Sequence, residues 1–344
     1  MAVDRLWECI CNCPRRLRRV VALVLWIVAV GGAVVFSAEA QAPPERYEYR
    51  QTRMGMAVRV VLYAPNDSTA RRAGHAAFRK MAALEAVLSS YRDSSELNRL
   101  SRRASTGPVP VSEPLFAVLR HAQRLARRSD GAFDATAGPL LALWSDARRH
   151  GTLPDSSALR RAAARVGWQG VELNERGRTV RLRIDGMQLN VGGIAKGFIL
   201  DRALDTLAAE GISRAMIEAG GDLVMSGAPP GTEGWTVRLP AAGAQVEART
   251  VRLRDAAVAT SGDTEQFVEI DGTRYSHVVD PRTGVGLTHR LLVTVVADRG
   301  VVADGLATTV GVLGRDEGRA FLAAHYPSVT AYLRQADRER ATSD

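Results

Sequence analysis

Every cysteine in this chain, Cys9, Cys11 and Cys13, lies before an apolar run that begins at Val20. All that follows must therefore fold without disulfides, without thiolate-bound metal and without a cysteine nucleophile. What holds it together has to be a buried apolar core. With 344 residues, 46% hydrophobic and 24% charged, the chain can build a large core in one elaborate domain or two.

The first 40 residues stand outside that core. Arg15, Arg16, Arg18 and Arg19 precede the run Val20 to Phe36, which only Gly31 and Gly32 interrupt. Ala38-Glu39-Ala40 then offers a small-x-small cleavage site before Gln41. This is the order of a secretory signal peptide. A run of about 17 residues also suits an uncleaved membrane anchor. We expect residues 1–40 to be one or the other, residues 46–335 to form the folded domain and residues 336–344 to be a polar tail. The protein should then be exported to the periplasm, and held at the inner membrane if residues 20–36 are retained. The net charge of +9 comes from scattered arginines. A basic stripe with interleaved aromatics would mark a nucleic-acid partner, and none is expected here. The charge instead serves solubility and attraction for anionic ligands.

Along the chain, Met56 to Ala64 reads as a strand and Ser68 to about Leu88 as a long helix. Ser112 with Pro114 starts a second helix that stops at Asp130-Gly131. Phe133 to Trp144 begins as loop and continues as a buried segment, and Ala158 to Val166 is a short arginine-rich helix. Gly170 to Ile184 reads as a hairpin turning at Asn174 to Gly177. A strand ending at Val191, a turn at Gly192-Gly193 and a helix to about Ala209 come next. Short strands flank Gly220-Gly221-Asp222, and several more run from Trp235 to about Val279. Leu291 to Ala297 is an apolar strand, Val301 to Leu313 a helix, and Val329 to Leu333 the last strand. Blocks of helices mixed with antiparallel strand runs predict an α+β fold.

Four segments carry residues suited to chemistry. In LNVGGIAKGFILDRA (Leu189–Ala203), the glycines let main-chain groups approach a phosphate, and Lys196 adds a mobile point charge. Lys196 and Lys80 are the only lysines among 46 basic residues. Asp304 and Thr308 lie one helical turn apart in VADGLATTVG and offer hard oxygen ligands of the kind Mg²⁺ takes, or else an ordinary cap or solvated face. The helix is apolar around them, so the Asp304 carboxylate needs a partner. Arg299 is the basic residue within reach in sequence, and a metal is another choice. His277 sits where a strand passes into the Pro281-Arg282-Thr283-Gly284 turn, a place for a proton acceptor or for a sheet-end histidine. Ser129 to Leu140 packs Phe133 and Asp134 among small residues, and with Tyr91 it could wall a planar heterocycle.

In this order the segments resemble the ApbE family, the FAD:protein FMN transferases. The resembling stretches are RMGM, SSYRDSSELNRLS, DGAFDATAGPLLALW, LNVGGIAKGFILDRA, AGGDLVMSG, VATSGD, YSHVVDPRTG and ADGLATT, spread over roughly residues 50 to 335. The resemblance implies an ApbE-like α+β fold, with antiparallel sheets, packed helices and an FAD site in the cleft between them. It implies an exported, Mg²⁺-dependent enzyme that cleaves FAD, passes FMN to a Thr or Ser hydroxyl of a target flavoprotein and releases AMP. A metal-dependent FAD pyrophosphatase and a non-catalytic flavin-binding protein are the alternatives. Carried over, Asp304, Thr308 and the Gly193 carbonyl would hold Mg²⁺. Met54, Tyr91, Ala132, Phe133, Asp134, Asn190, Lys196, His277 and Val278 would bind FAD, with His277 the candidate base for the incoming hydroxyl. The expected partners are FAD and an exported or membrane flavoprotein with an FMN-binding domain, of the redox-complex subunit type. The family commonly has Asp where this chain has Asn190; Asp185 or Asp222 could compensate for the lost charge.

Overall fold

In the computed structural model, residues 43–240, 249–262 and 267–335 are described. The expected leader or anchor (1–40) and polar tail (336–344) lie outside them. In chain order the elements begin with β1 (Glu45–Arg53), β2 (Met56–Ala64), α1 (Asp67–Leu88), α2 (Glu96–Arg103), β3 (Val109–Pro110) and α3 (Glu113–Arg128). Next come α4 (Gly138–His150), α5 (Ser156–Ala163), β4 (Val171–Asn174), β5 (Thr179–Leu182) and α6 (Gly192–Ala209). Strands then dominate: β6 (Ala215–Ala219), β7 (Asp222–Ser226), β8 (Trp235–Arg238), β9 (Thr250–Leu253), β10 (Ala256–Ser261), β11 (Phe267–Ile270), β12 (Thr273–Ser276), β13 (Val279–Asp280), β14 (Val285–Gly286) and β15 (Leu291–Ala297). The chain closes with α7 (Gly300–Leu313), α8 (Arg315–His325) and β16 (Thr330–Gln335).

The frame is a seven-stranded sheet in the order β1-β2-β6-β7-β10-β15-β16, every neighbour antiparallel. Because successive side chains alternate faces, β2 sends Val58, Val60 and Leu62 into the main core with α1, α6 and α7. Val61 points the other way, to a smaller core with Trp235 and Val237 of the β8–β9 hairpin. The fold is thus α+β, with helices on one face of an antiparallel sheet. Local chemistry sets the helix starts. Asn66 accepts the Thr69 N–H at the head of α1 (2.9 Å), and Ser112 caps α3 ahead of Pro114.

The contact that positions the rest is between α6 and α7. A Cβ on Gly197 would lie 2.0 Å from the Gly300 carbonyl oxygen, so only glycine lets the two backbones meet there. Beside this crossing, Asp201 of α6 accepts the N–H groups of Gly300 (2.7 Å) and Val301 (3.0 Å), satisfying buried donors at the start of α7 that have no partner within the helix.

Two local expectations change. Leu189 to Val191 forms no strand. Both of its apolar residues are buried in the main core, but the Leu189 N–H goes to Ser101 Oγ (3.0 Å) and the Asn190 N–H to the Ala135 carbonyl (2.7 Å), so two separate segments take the bonds a neighbouring strand would. Gly192 and Gly193 are the first residues of α6 and not a turn, since Asn190 Oδ1 accepts the Gly192 N–H (2.8 Å). The buried segment expected after the Phe133 loop is present and is the helix α4, with Pro139 in its first turn and Gly151 (φ 67°) ending it. Elements β1, α2 and α8 had no counterpart in the sequence reading.

Gly197→Ala should lower stability by about 3 kcal/mol or more, since backbone is what its methyl would strike. Gly211→Ala, in open space at φ +85°, should lose only about 1–2 kcal/mol. Urea denaturation of both variants measures the difference.

Candidate active site

The N-terminus of α6 faces the middle of α7. Thr308 Oγ1 donates to the Gly193 carbonyl at 3.3 Å, long for a hydroxyl hydrogen bond. One turn earlier on α7, Asp304 Oδ2 accepts the Gly197 N–H at 2.9 Å. A Cβ on Gly193 would lie 3.0 Å from Thr308 and 3.3 Å from the Phe133 ring, so Phe133, Gly193 and Thr308 meet at one point. The loop before α4 brings Phe133 there. Ser129 Oγ accepts the Phe133 N–H (3.1 Å), while the buried Asp134 accepts from Thr136 N, Thr136 Oγ1 and Trp168 N at 2.7–2.9 Å. Both Asp134 oxygens are occupied in shaping that loop, and burial pushes its pKa up.

Lys196 points to the same place. Its Nζ stands 2.6 Å from Oδ2 of Asp222, the first residue of β7. The tight β6–β7 turn at Gly220 (φ 55°) and Gly221 (φ 87°) delivers Asp222. Asp222 Oδ1 accepts the Thr260 N–H (3.1 Å). Sequence reasoning missed this pairing, because Asp222 and Lys196 meet only through the sheet order. Arg299, the basic residue within sequence reach of Asp304, serves other acids. Arg299 is not the cation beside Asp304; it reaches back to Asp205 (2.9 Å) and Asp201 (3.4 Å) on α6.

Two buried carboxylates, Asp222 and Asp304, therefore face one ammonium. Burial first, and then the Asp222 charge, push Asp304 up to about 7; Lys196 and the Gly197 N–H pull the other way. Burial also raises Asp222 against the pull of Lys196. Burial alone would lower Lys196, but Asp304 and Asp222 outweigh it and the net shift is upward. Among the described residues, no group of three or more His, Cys, Asp or Glu could hold a metal ion. The donors here are one carboxylate, one hydroxyl and one main-chain carbonyl. These are hard oxygens beside an uncompensated buried negative charge, which is what a hard divalent cation takes.

The remaining expected residues form two further groups. Met54 (φ 52°) in the β1–β2 turn donates its N–H to Glu85 (3.2 Å), and Glu85 also takes Arg92 (2.8 Å), which ties the turn of the almost fully exposed Tyr91 to Met54. Half-buried His277 and Val278 follow β12, where Ser276 Oγ accepts the Val278 N–H (3.1 Å). Val278 and Gly311 of α7 line one small cavity, so the His277 segment lies against α7 beyond Thr308. Ala132 is buried beside Phe133, and Asn190 accepts the Gly192 N–H at the head of α6.

The ApbE family profile matches residues 54–333. A Treponema pallidum protein named FAD:protein FMN transferase is 34% identical over 334 residues, covering 91% of this chain and 90% of that protein. The Pseudomonas stutzeri flavinyl transferase ApbE superposes with a TM-score of 0.77 at 27% identity, over 86% of this chain and 92% of its own. The Vibrio cholerae flavin transferase ApbE gives a TM-score of 0.77 at 29% identity, over 86% and 95%.

Asp304→Asn keeps an acceptor for the Gly197 N–H and removes one of two carboxylates that share an ammonium. In EDTA this variant should melt above the wild type, on a scale of about 2–4 °C per kcal/mol. A thermal unfolding scan reads the sign, and a lower Tm would show that the charge is not under strain.

Proposed function

This chain belongs to the ApbE family and is a transferase, and on that premise we propose a Mg²⁺-dependent FAD:protein FMN transferase acting on an exported or membrane flavoprotein. The observation that carries the reading is the meeting of the α6 N-terminus with Asp304 and Thr308 beside a half-buried lysine. Asp304, Thr308 and the Gly193 carbonyl would hold the metal, and their hard-oxygen chemistry and surplus negative charge suit it. Bound there, Mg²⁺ would neutralise charge on the pyrophosphate of FAD.

The chain's own residues supply the rest. The first N–H groups of α6 and the Lys196 ammonium favour an anionic phosphate at this spot. Phe133, with Ala132 and Asp134 behind it, offers an apolar wall for a flat ring, and Met54, Tyr91 and Asn190 would complete the FAD contacts. His277 would accept the proton of the acceptor Thr or Ser hydroxyl. The hydroxyl oxygen bonds to the phosphorus on the FMN side, the bond to the AMP phosphate breaks, and AMP leaves with the electron pair. The basic, apolar order of residues 15–40 supports export to the periplasm.

The test mixes the protein with FAD, Mg²⁺ and a flavin acceptor domain. Mass spectrometry should show one FMN adduct on the acceptor and equimolar AMP. AMP and FMN without an adduct would mark a pyrophosphatase, and FAD binding without turnover a carrier. His277→Ala should slow transfer by about 10²–10⁴-fold with little change in FAD affinity. Thr308→Val should raise the Mg²⁺ needed for half-maximal rate by about tenfold or more. Equal losses of rate and FAD affinity in His277→Ala would make it a binding residue.

A further inference from the structure

Asp222 is 2% exposed, and the transfer chemistry above gives it no part. We propose that Asp222 is a positioning residue that holds the Lys196 ammonium away from Asp304, so that the Asp304 carboxylate stays open to a divalent cation. The inference rests on the reading of Asp304 as a metal ligand.

The geometry is that of an anchor. Asp222 begins β7 straight after the tight Gly220-Gly221 turn, and the Thr260 N–H on β10 holds its Oδ1 at 3.1 Å. Thr260 is itself braced by Thr294 across the sheet, the two hydroxyls 3.0 Å apart. That leaves Oδ2 facing Lys196 Nζ at 2.6 Å, and Asp222 is the carboxylate that pairs with this lysine within 4.0 Å. Lys196 nevertheless sits next to Gly197, whose N–H is bound to Asp304. A lysine is a point charge on a four-carbon stem, free to choose between carboxylates on either side of its own backbone. The sheet-fixed Asp222 makes the choice.

Charge gives the consequence. Two carboxylates and one ammonium leave one negative charge in the site. Without the Asp222 charge, the ammonium has Asp304 as its remaining buried carboxylate. It would then supply the positive charge that a metal brings, and compete with it. Asn at position 222 keeps an oxygen for the Thr260 N–H and removes only the charge.

Titration calorimetry of the full chain with MgCl₂, without FAD, tests this. Asp222→Asn should bind Mg²⁺ about tenfold more weakly or worse, and Asp222→Glu should stay within about threefold of the wild type. The decisive variant is Lys196→Met/Asp222→Asn, which removes the competitor and should regain the affinity of Lys196→Met. A turn that is merely loosened by the Asn would not be repaired by removing a lysine. Wild-type affinity in Asp222→Asn, or no recovery in the double variant, overturns the inference. A wild type that binds no Mg²⁺, or an Asp304→Ala variant that binds it unchanged, overturns the metal reading itself. Thermal unfolding of each variant distinguishes lost folding from lost affinity, and should Asp222→Asn fail to fold, the Lys196→Met/Asp222→Asn and Asp222→Glu comparison decides.

Discussion

The two helices that carry the site touch backbone to backbone at Gly197 and Gly300, and everything chemical here is built on that contact. Helices normally pack 8–10 Å apart because side chains hold them off. Glycine on both sides removes the spacer, so groups of the main chain become part of the site. The Gly197 N–H reaches the Asp304 carboxylate, and one turn away the Gly193 carbonyl reaches the Thr308 hydroxyl. Asp201 and Arg299 lock the same crossing from its other end. A side chain at position 197 would part the helices and remove both polar contacts together.

Such closeness buries charge, and the fold manages it with lysine. The chain writes nearly all its cations as arginine, yet keeps one of its two lysines where two buried carboxylates converge. An arginine fork would bind one carboxylate bidentately and fill the space between the helices with a planar group. A lysine pairs with Asp222 through a single nitrogen and leaves Asp304 with its Gly197 bond and a raised affinity for a proton or a cation. Asp222 and Asp304 are carboxylates held out of water near a single ammonium. Their retention makes sense as function held at some expense of stability.

Much of the fold was legible because period and punctuation are local. The alternation in Met56–Ala64, the Ser112–Pro114 start and the Asn174–Gly177 turn all correspond to elements in the structure. The i, i+4 pair Asp304 and Thr308 was legible for the same reason, as was Lys196, one of two lysines among the arginines. Partners were not. Arg299 is five residues from Asp304 in sequence but serves Asp201 and Asp205, whereas Lys196 and Asp222 come from α6 and the sheet. Leu189–Val191 misled because buried apolar residues look alike in a strand and in a connection whose hydrogen bonds are taken by separate segments.

The Asn190 departure also reads differently in three dimensions. A carboxylate there would accept the first N–H of α6 as the Asn amide oxygen accepts that of Gly192, at 2.8 Å. That bond is therefore indifferent to the exchange; the charge is not. Asn190 lies on the same short stretch as Gly193 and Lys196, at the end of α6 where the N–H groups favour an anion. The site already holds more carboxylate than ammonium. A third acid would spend the positive end of α6 on the protein's own side chain, while Asn190 satisfies one N–H and, under the proposed function, would leave that field to the phosphate. The charge of Asp222 is paired with Lys196. The neutral residue at 190 and the paired acid at 222 are two parts of one arrangement: under the proposed function they would keep negative charge beside the metal and away from the phosphate.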